Sequence, residues 1–212
     1  MLGEKIEIGI GKPNLRLEIY KGHYATAHSH TNYYIDIAKN KSELVQARAV
    51  ASKLAEHYFN NTLVDTVLCL DGTEVIATCL ASELTSSRYA SMNQGRNINI
   101  LTPEHNSGSQ LFFRDNTAPM ITGKFVLVLA ASVVTGFTAL SAVESVQYYG
   151  GRVVGIASIF ATIEECDGIQ VHSVFNPNDL PGYATYLPNV CPMCKNGEKL
   201  NALVNSHGCS ML

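Results

Sequence analysis

The sequence predicts an α/β fold in which a parallel sheet is flanked by helices on both faces. Apolar, β-rich runs alternate with stretches of helical periodicity, and short polar turns carrying glycine separate strand from helix. The chain is also long enough, at 212 residues with 46% hydrophobic, to bury a core without metal or disulfide help.

The elements follow in order. Up to about Ala38, short apolar and polar pieces mix and end in Tyr33-Tyr34-Ile35. Leu44, Ala47, Ala51, Leu54, Ala55 and Tyr58 then share one helical stripe, and Asn40 with Glu43 offers a capping box at its start. Residues 63–70 (LVDTVLCL) read as a buried strand, followed by the polar turn Asp71-Gly72-Thr73 and a helix over about 74–84. A short strand is expected at 97–101, then a long polar loop over 102–123 with a hairpin around Leu111-Phe112-Phe113. A strand over 125–129 and a helix over 138–149 come next, the helix stopped by Gly150-Gly151. Strands are expected at 152–161 and 170–175. The expected organisation is an N-terminal hood segment over 1–38, an α/β core over 39–175 and a cysteine-bearing tail over 176–212.

Only 16% of residues are charged and the net charge is −3, so no surplus of Lys and Arg exists to neutralise phosphates. That argues against a nucleic-acid or an anionic-membrane partner. Residues 125–143 carry no charge, which raises the question of a membrane span. Gly136 and the hydroxyls of Ser132, Thr135, Thr138 and Ser141 interrupt the run, and Lys124 and Glu144 bound it. A strand, a turn and the start of a buried helix fit it better. Glu4, Lys5 and Glu7 among the first residues are unlike a secretory signal, and a cytoplasmic protein with its six cysteines reduced is expected. Cys69 and Cys79 lie in apolar runs and read as core residues.

In a doubly wound sheet, ligands bind beyond the carboxyl ends of the strands, which directs attention to two strand–turn–helix junctions. The second, Ser132-Val133-Val134-Thr135-Gly136-Phe137-Thr138, brings hydroxyls, a glycine and free amides to a helix N-terminus, a setting suited to phosphate. On local chemistry alone it reads more readily as an N-capped turn in which Thr138 only starts the helix. The first, Asp71-Gly72-Thr73, either presents amides to a second anionic group or is a plain tight turn. Two such turns on one sheet edge suit a ligand with two phosphate-like ends.

Residues 126–140 (VLVLAASVVTGFTAL) resemble, without a gap, the phosphoribosyl pyrophosphate motif of the type I phosphoribosyltransferases. Gly22-His23-Tyr24 through His30-Thr31-Asn32-Tyr33-Tyr34-Ile35-Asp36 resembles the N-terminal region of the orotate phosphoribosyltransferases, and 64–84 resembles their pyrophosphate loop and the helix after it. Order and spacing agree over roughly residues 20–160. The resemblance implies a type I phosphoribosyltransferase-like sheet with a small N-terminal hood. It also implies transfer of a 5-phosphoribosyl group from phosphoribosyl pyrophosphate to a pyrimidine-like base, usually orotate, with magnesium, in a homodimer. By position, Ser132, Thr135, Gly136, Phe137 and Thr138 would hold the 5-phosphate. Asp71, Gly72 and Thr73 would line the pyrophosphate side, and Tyr33 and Tyr34 would flank the base. The two tyrosines read equally well as core packing on a strand.

The departures from the family pattern fall on the chemistry. Ala130-Ala131 stands where the family has two acidic residues for the ribose hydroxyls. Between Arg96 and Lys124 there is no lysine, and Arg114 is the one cation of fixed charge. Ser29 replaces a basic residue, and Phe137 replaces a loop glycine. Two main readings follow: a transferase using substitutes such as Arg114, Asp115 or Glu104, or a lapsed enzyme that binds a nucleotide or sugar phosphate as a regulator or partner subunit. A ligand-free structural homologue is the third.

Cys191-Pro192-Met193-Cys194 is a C-x-x-C knuckle, with His207 and Cys209 following. Four such N and S ligands suit tetrahedral zinc, although His207 and Cys209 are spaced more tightly than usual ligand pairs. A redox pair or plain reduced cysteines are the alternatives.

Overall fold

The hood begins with three antiparallel strands, β1 (Lys5–Gly9), β2 (Arg16–Ala25) and β3 (His30–Asp36). Buried and exposed residues alternate along β2, so one face enters the core and the other meets solvent. The computed structural model that shows this describes residues 2–11, 14–87, 90–106 and 110–212; part of the expected 102–123 loop, residues 107–109, lies outside them.

Two helices follow, α1 (Ala38–Ser42) and α2 (Leu44–Ala55), where the sequence suggests one. The expected capping box does not form. The chain breaks at Glu43, whose side chain makes no cap hydrogen bond, and Asn40 is buried inside α1. Its amide donates to the Arg16 carbonyl at 2.8 Å, so the hood claims the group that periodicity assigns to a cap.

The core then alternates as the sequence predicts: β4 (Thr66–Cys69), α3 (Glu74–Thr85), β5 (Asn99–Leu101), the small hairpin β6 (Glu104–His105) with β7 (Leu111–Phe112), β8 (Phe125–Val133), α4 (Phe137–Tyr148) and β9 (Arg152–Ala161). A second hairpin, β10 (Glu165–Cys166) with β11 (Ile169–Phe175), completes it. The sheet order is β10-β11-β9-β8-β4-β5, parallel throughout except for the β10 edge. Successive strand residues face opposite layers. Val67, Cys69, Leu127 and Leu129 meet α2 and α3, whereas Leu68, Val126 and Val128 meet α4. The strands read as unbroken apolar runs for that reason.

The last part of the chain returns to the hood. Strand β12 (Thr185–Tyr186) pairs with β3; after the one-turn helix α5 (Pro192–Lys195), β13 (Ala202–Asn205) lies parallel to β2 and β14 (Gly208–Met211) closes the edge. Residues of the tail thus cover strand edges that β2 and β3 would otherwise expose. Among the described residues, no helix is long and apolar enough to cross a membrane.

Candidate functional site

The core strands β4 and β8 lie side by side, and each feeds a left-handed turn. After β4, Asp71 and Gly72 have φ of 58° and 77°. A non-glycine residue in that region is uncommon, and Asp71 is held there from two sides. Its backbone carbonyl accepts from Lys41 Nζ at 2.7 Å, and its carboxylate Oδ1 accepts from Ser206 Oγ at 3.0 Å. Thr73 is fully buried, its hydroxyl directed to the carbonyls of Leu70 and Leu129 at 2.9 and 3.1 Å. It locks the turn to the sheet.

After β8, Thr162 anchors the turn, its amide on the Val133 carbonyl at 3.0 Å and its hydroxyl on the Val134 carbonyl at 2.6 Å. Gly136 then takes φ 79° as the N-cap of α4. A Cβ there would lie 3.1 Å from Ile163 Cδ1. No side chain caps α4, so its first-turn amides have no partner within the helix and carry the positive end of its dipole. Thr135, Phe137 and Thr138 are exposed around them.

These two turns, the hood and the tail enclose a cavity of about 280 Å³, at the small end of ligand-pocket volumes. Its walls contain Asp71, Ser132, Thr135, Gly136, Phe137 and Thr138 from the core, and Thr26–Ser29, Tyr33 and Tyr34 from the hood. Tyr183 and Val204–Ser206 enter from the tail. The cavity therefore gathers most of the residues singled out by sequence. The tyrosines are not equivalent. Strand alternation sends Tyr33 into the main core, its hydroxyl donating to the Pro181 carbonyl at 2.9 Å, and sends Tyr34 to the other side, where it stacks on Tyr20 at 5.8 Å. Burial raises the Tyr34 phenol well above its ordinary value.

Other expected residues lie elsewhere. Gly72 and Thr73 do not line the cavity. Arg114 grips Glu104 bidentately at 2.8 and 2.6 Å across the β6–β7 hairpin, and Asp115 lies in the exposed turn after it, so neither faces the cavity. The Arg114 guanidinium holds the Glu104 carboxyl below its usual range. Ala130 and Ala131 are buried within β8, which runs four residues past its expected end, and each packs into a different face of the core.

Sequence reasoning misses Lys41. Its ammonium is half-buried, which lowers its pKa, and it bridges the carbonyls of Asp71 and Ser206 at 2.7 and 2.8 Å. Nothing local marks it, because its partners lie 30 and 165 residues away. His28 is a second omission: its ring lies 5.3 Å from that of Phe137, joining hood to core at the cavity wall.

The knuckle also has different partners from those expected. Cys191 and Cys194 converge with His23 and His30, all four ligand atoms within 4.8 Å of one another. His207 is exposed at the β13–β14 turn, and Cys209 pairs opposite Val204 on β14. The hairpin folds back along the hood sheet and carries both away from the knuckle. A His/Cys cluster able to hold a metal is present, but His207 and Cys209 are not in it.

No family model matches the chain. The orotate phosphoribosyltransferase of Sulfurimonas denitrificans is 25% identical over 193 residues, covering 85% of this chain and 90% of the relative. That of a Sulfurovum species is 27% identical over 194 residues, with the same coverage. Among solved structures, Mycobacterium tuberculosis orotate phosphoribosyltransferase, crystallised with Fe(III) dicitrate, superposes with a TM-score of 0.52 at 20% identity, covering 84% of this chain and 90% of that one. The same enzyme is also known in complex with 5-phospho-α-D-ribosyl 1-diphosphate.

Proposed function

We propose that this chain, whose fold is that of the type I phosphoribosyltransferases and whose sequence is similar to orotate phosphoribosyltransferases, binds a 5-phosphorylated ribosyl compound in its cavity and transfers that group to orotate only weakly. One observation carries the binding half: the uncapped N-terminus of α4, shaped by left-handed Gly136, opens on the cavity. Backbone amides aimed at an anion and reinforced by a helix dipole need no cationic side chain. Asp71 and the carbonyl-bound Lys41 lie at the opposite turn, where a second anionic group or the ribose would sit.

The catalytic half follows from charge. Phosphoribosyl transfer passes through an oxocarbenium-like state with a departing pyrophosphate, so it calls for charges placed on both. Among the described residues, the cavity lining has no Lys or Arg, and Asp71 is its one carboxylate. The magnesium that the family resemblance implies does not find a carboxylate cage here. Ala130-Ala131 offers no side-chain oxygen, and the Asp71 carboxylate already accepts from Ser206. Such an ion would have to arrive on the ligand's own phosphates. Losing one charge-assisted contact to a transition state costs about 3 kcal/mol, or roughly a hundredfold in rate. Losing several leaves little turnover. We therefore favour a nucleotide- or sugar-phosphate-binding protein that serves as a regulator or partner subunit, and a homodimer, as the resemblance implies.

Two measurements test this. Calorimetry with ribose 5-phosphate, a nucleoside monophosphate and phosphoribosyl pyrophosphate should show binding to the wild-type chain, weakened about tenfold in Thr135→Ala if one hydroxyl contact is lost. No binding at millimolar ligand removes the site. A pyrophosphate-release assay across several bases should give little product, and turnover near about one per second would place the chain among working enzymes.

A further inference from the structure

We infer that His23, His30, Cys191 and Cys194 form a tetrahedral zinc site that ties the tail to the hood. The four come from three places: His23 near the end of β2, His30 at the start of β3, and the cysteines one helical turn apart at α5. A register shift between Lys21 and Tyr24 puts an extra residue into β2 beside His23, the kind of irregularity that re-aims a side chain.

The spacing of the ligand atoms fits an ion. Zinc at about 2.05 Å from nitrogen and about 2.3 Å from sulfur requires tetrahedral edges of about 3.3 Å for N···N and about 3.6 Å for N···S. His23 Nε2 lies 3.1 Å from His30 Nδ1 and 3.6 Å from each of Cys191 Sγ and Cys194 Sγ, and Cys194 Sγ lies 3.2 Å from His30 Nδ1. The other nitrogen of His23, Nδ1, is 2.9 Å from the Glu198 carbonyl and donates to it, which leaves the Nε2 lone pair facing the cluster. Glu198 is itself fixed, its amide donating to Met193 within the knuckle. Both cysteines are free thiols. A dithiol redox pair would have no use for two imidazole nitrogens at the same point, whereas an S₂N₂ set is a zinc donor set. The protein supplies all four ligands, which marks a structural rather than a catalytic site.

The location gives the ion a task. His23 and His30 stand at the two roots of the Thr26–Ser29 loop, which lines the cavity. Asn201, next to β13, bonds both backbone groups of His23, at 2.8 and 2.7 Å. Zinc would thus hold the hood loop and the tail hairpin at their common base. This holds whatever ligand the cavity takes.

The full chain purified without chelator should contain about one zinc per molecule. Replacement by cobalt should give thiolate-to-cobalt charge-transfer bands and tetrahedral d–d bands. Zinc content should fall at least about tenfold in Cys194→Ser and His30→Ala and stay unchanged in His207→Ala and Cys209→Ser. Zinc should raise the melting temperature of chelated wild type. Cys191 is buried, so its variant is not needed: the cobalt spectrum reads the site in the intact protein. Zinc well below stoichiometric after reduction and incubation with equimolar metal would overturn the inference. So would an octahedral cobalt spectrum, or loss of metal in Cys209→Ser or His207→Ala matching that in Cys194→Ser.

Discussion

Gly136 concentrates the chemistry of the second turn in one backbone angle. Its φ of 79° costs an L side chain on the order of 1 to 2 kcal/mol, and an added methyl would also press Ile163 Cδ1 at 3.1 Å. Gly168, at φ 74° with nothing within 4 Å of a built Cβ, has the first penalty without the second. Gly136→Ala should therefore lower the melting temperature by more than Gly168→Ala, by about 2 to 8 °C for a chain of this size, and should also lose phosphate-ligand affinity. Equal shifts in the two variants would mean that Ile163 yields freely. A second pair of residues gives the fold a pH response. His57 and His172 stack with ring centroids 4.2 Å apart and planes 8° from parallel. Burial, chiefly, lowers both pKa values, and the neighbouring His172 lowers that of His57 further. Their folded values lie below those of the unfolded chain, which then binds more protons in the interval between them. Stability is complete above about pH 6.5 and declines as the pH falls toward the folded values. His172→Phe keeps an aromatic face while removing one titration, so its melting temperature should change less than that of wild type between about pH 7 and pH 5. Parallel profiles would show that the stack is silent.

The tail hairpin β13–β14 is an element whose importance lies in what it reaches. Ser206, in its turn, bonds the Asp71 carboxylate, and Lys41 fastens the carbonyls of both residues. Lys41→Met should remove two charge-assisted bonds and leave the Ser206 hydroxyl on the Asp71 carboxylate as the remaining hydrogen bond described between the hairpin and the first turn. The affinity for a phosphorylated ribose should then fall about tenfold, with a modest change in melting temperature. A dissociation constant within about twofold of wild type by calorimetry would show that the bridge is not needed. This element also marks the limit of what the sequence discloses. The core elements were legible because each carries its own pattern. Strand β9 has the bounds its apolar run predicts, and α4 starts one residue from its expected first position. The β12–β14 strands are two to four residues long, β12 and β13 pair with hood strands far away in sequence and β14 only with β13, so no local period marks them. The His/Cys cluster divides in the same way. The C-x-x-C knuckle is visible as a spacing, but His30 stands 164 residues before Cys194, and nearer residues of the right type, His207 and Cys209, are the wrong ones. At the candidate site the turns could be found from sequence, whereas Lys41 and Ser206 could not, being assembled by packing alone.

For the molecule as a whole, the question is whether the hood, core and tail are separable units. The packing argues that they are not. One buried cluster contains Leu15, Leu17, Ile19 and Tyr33 from the hood together with Val50, Leu54, Ile76, Phe160 and Phe175 from the core, and Leu180 joins it from the tail side. Removing residues 1–38 and 176–212 would strip several fully buried aliphatic and aromatic contacts at once. Truncation of each such side chain in a core costs about 2 to 5 kcal/mol, and a domain holds only about 5 to 15 kcal/mol of net stability. The fragment 39–175 should therefore fail to fold, even though it contains the whole parallel sheet and every helix that covers it. The intact chain should unfold as one unit. With ten tyrosines and no tryptophan, tyrosine emission samples both layers: Tyr24 and Tyr34 report the hood, and Tyr58 reports the α2 side of the core. Urea transitions followed by that emission and by far-UV circular dichroism should share a midpoint, since coincident probes are the signature of a cooperative transition. A 39–175 fragment with a dispersed NMR spectrum, or a hood transition at lower urea than the sheet, would make the hood a dispensable lid. The cavity would then be a joint between two bodies and not a hollow within one.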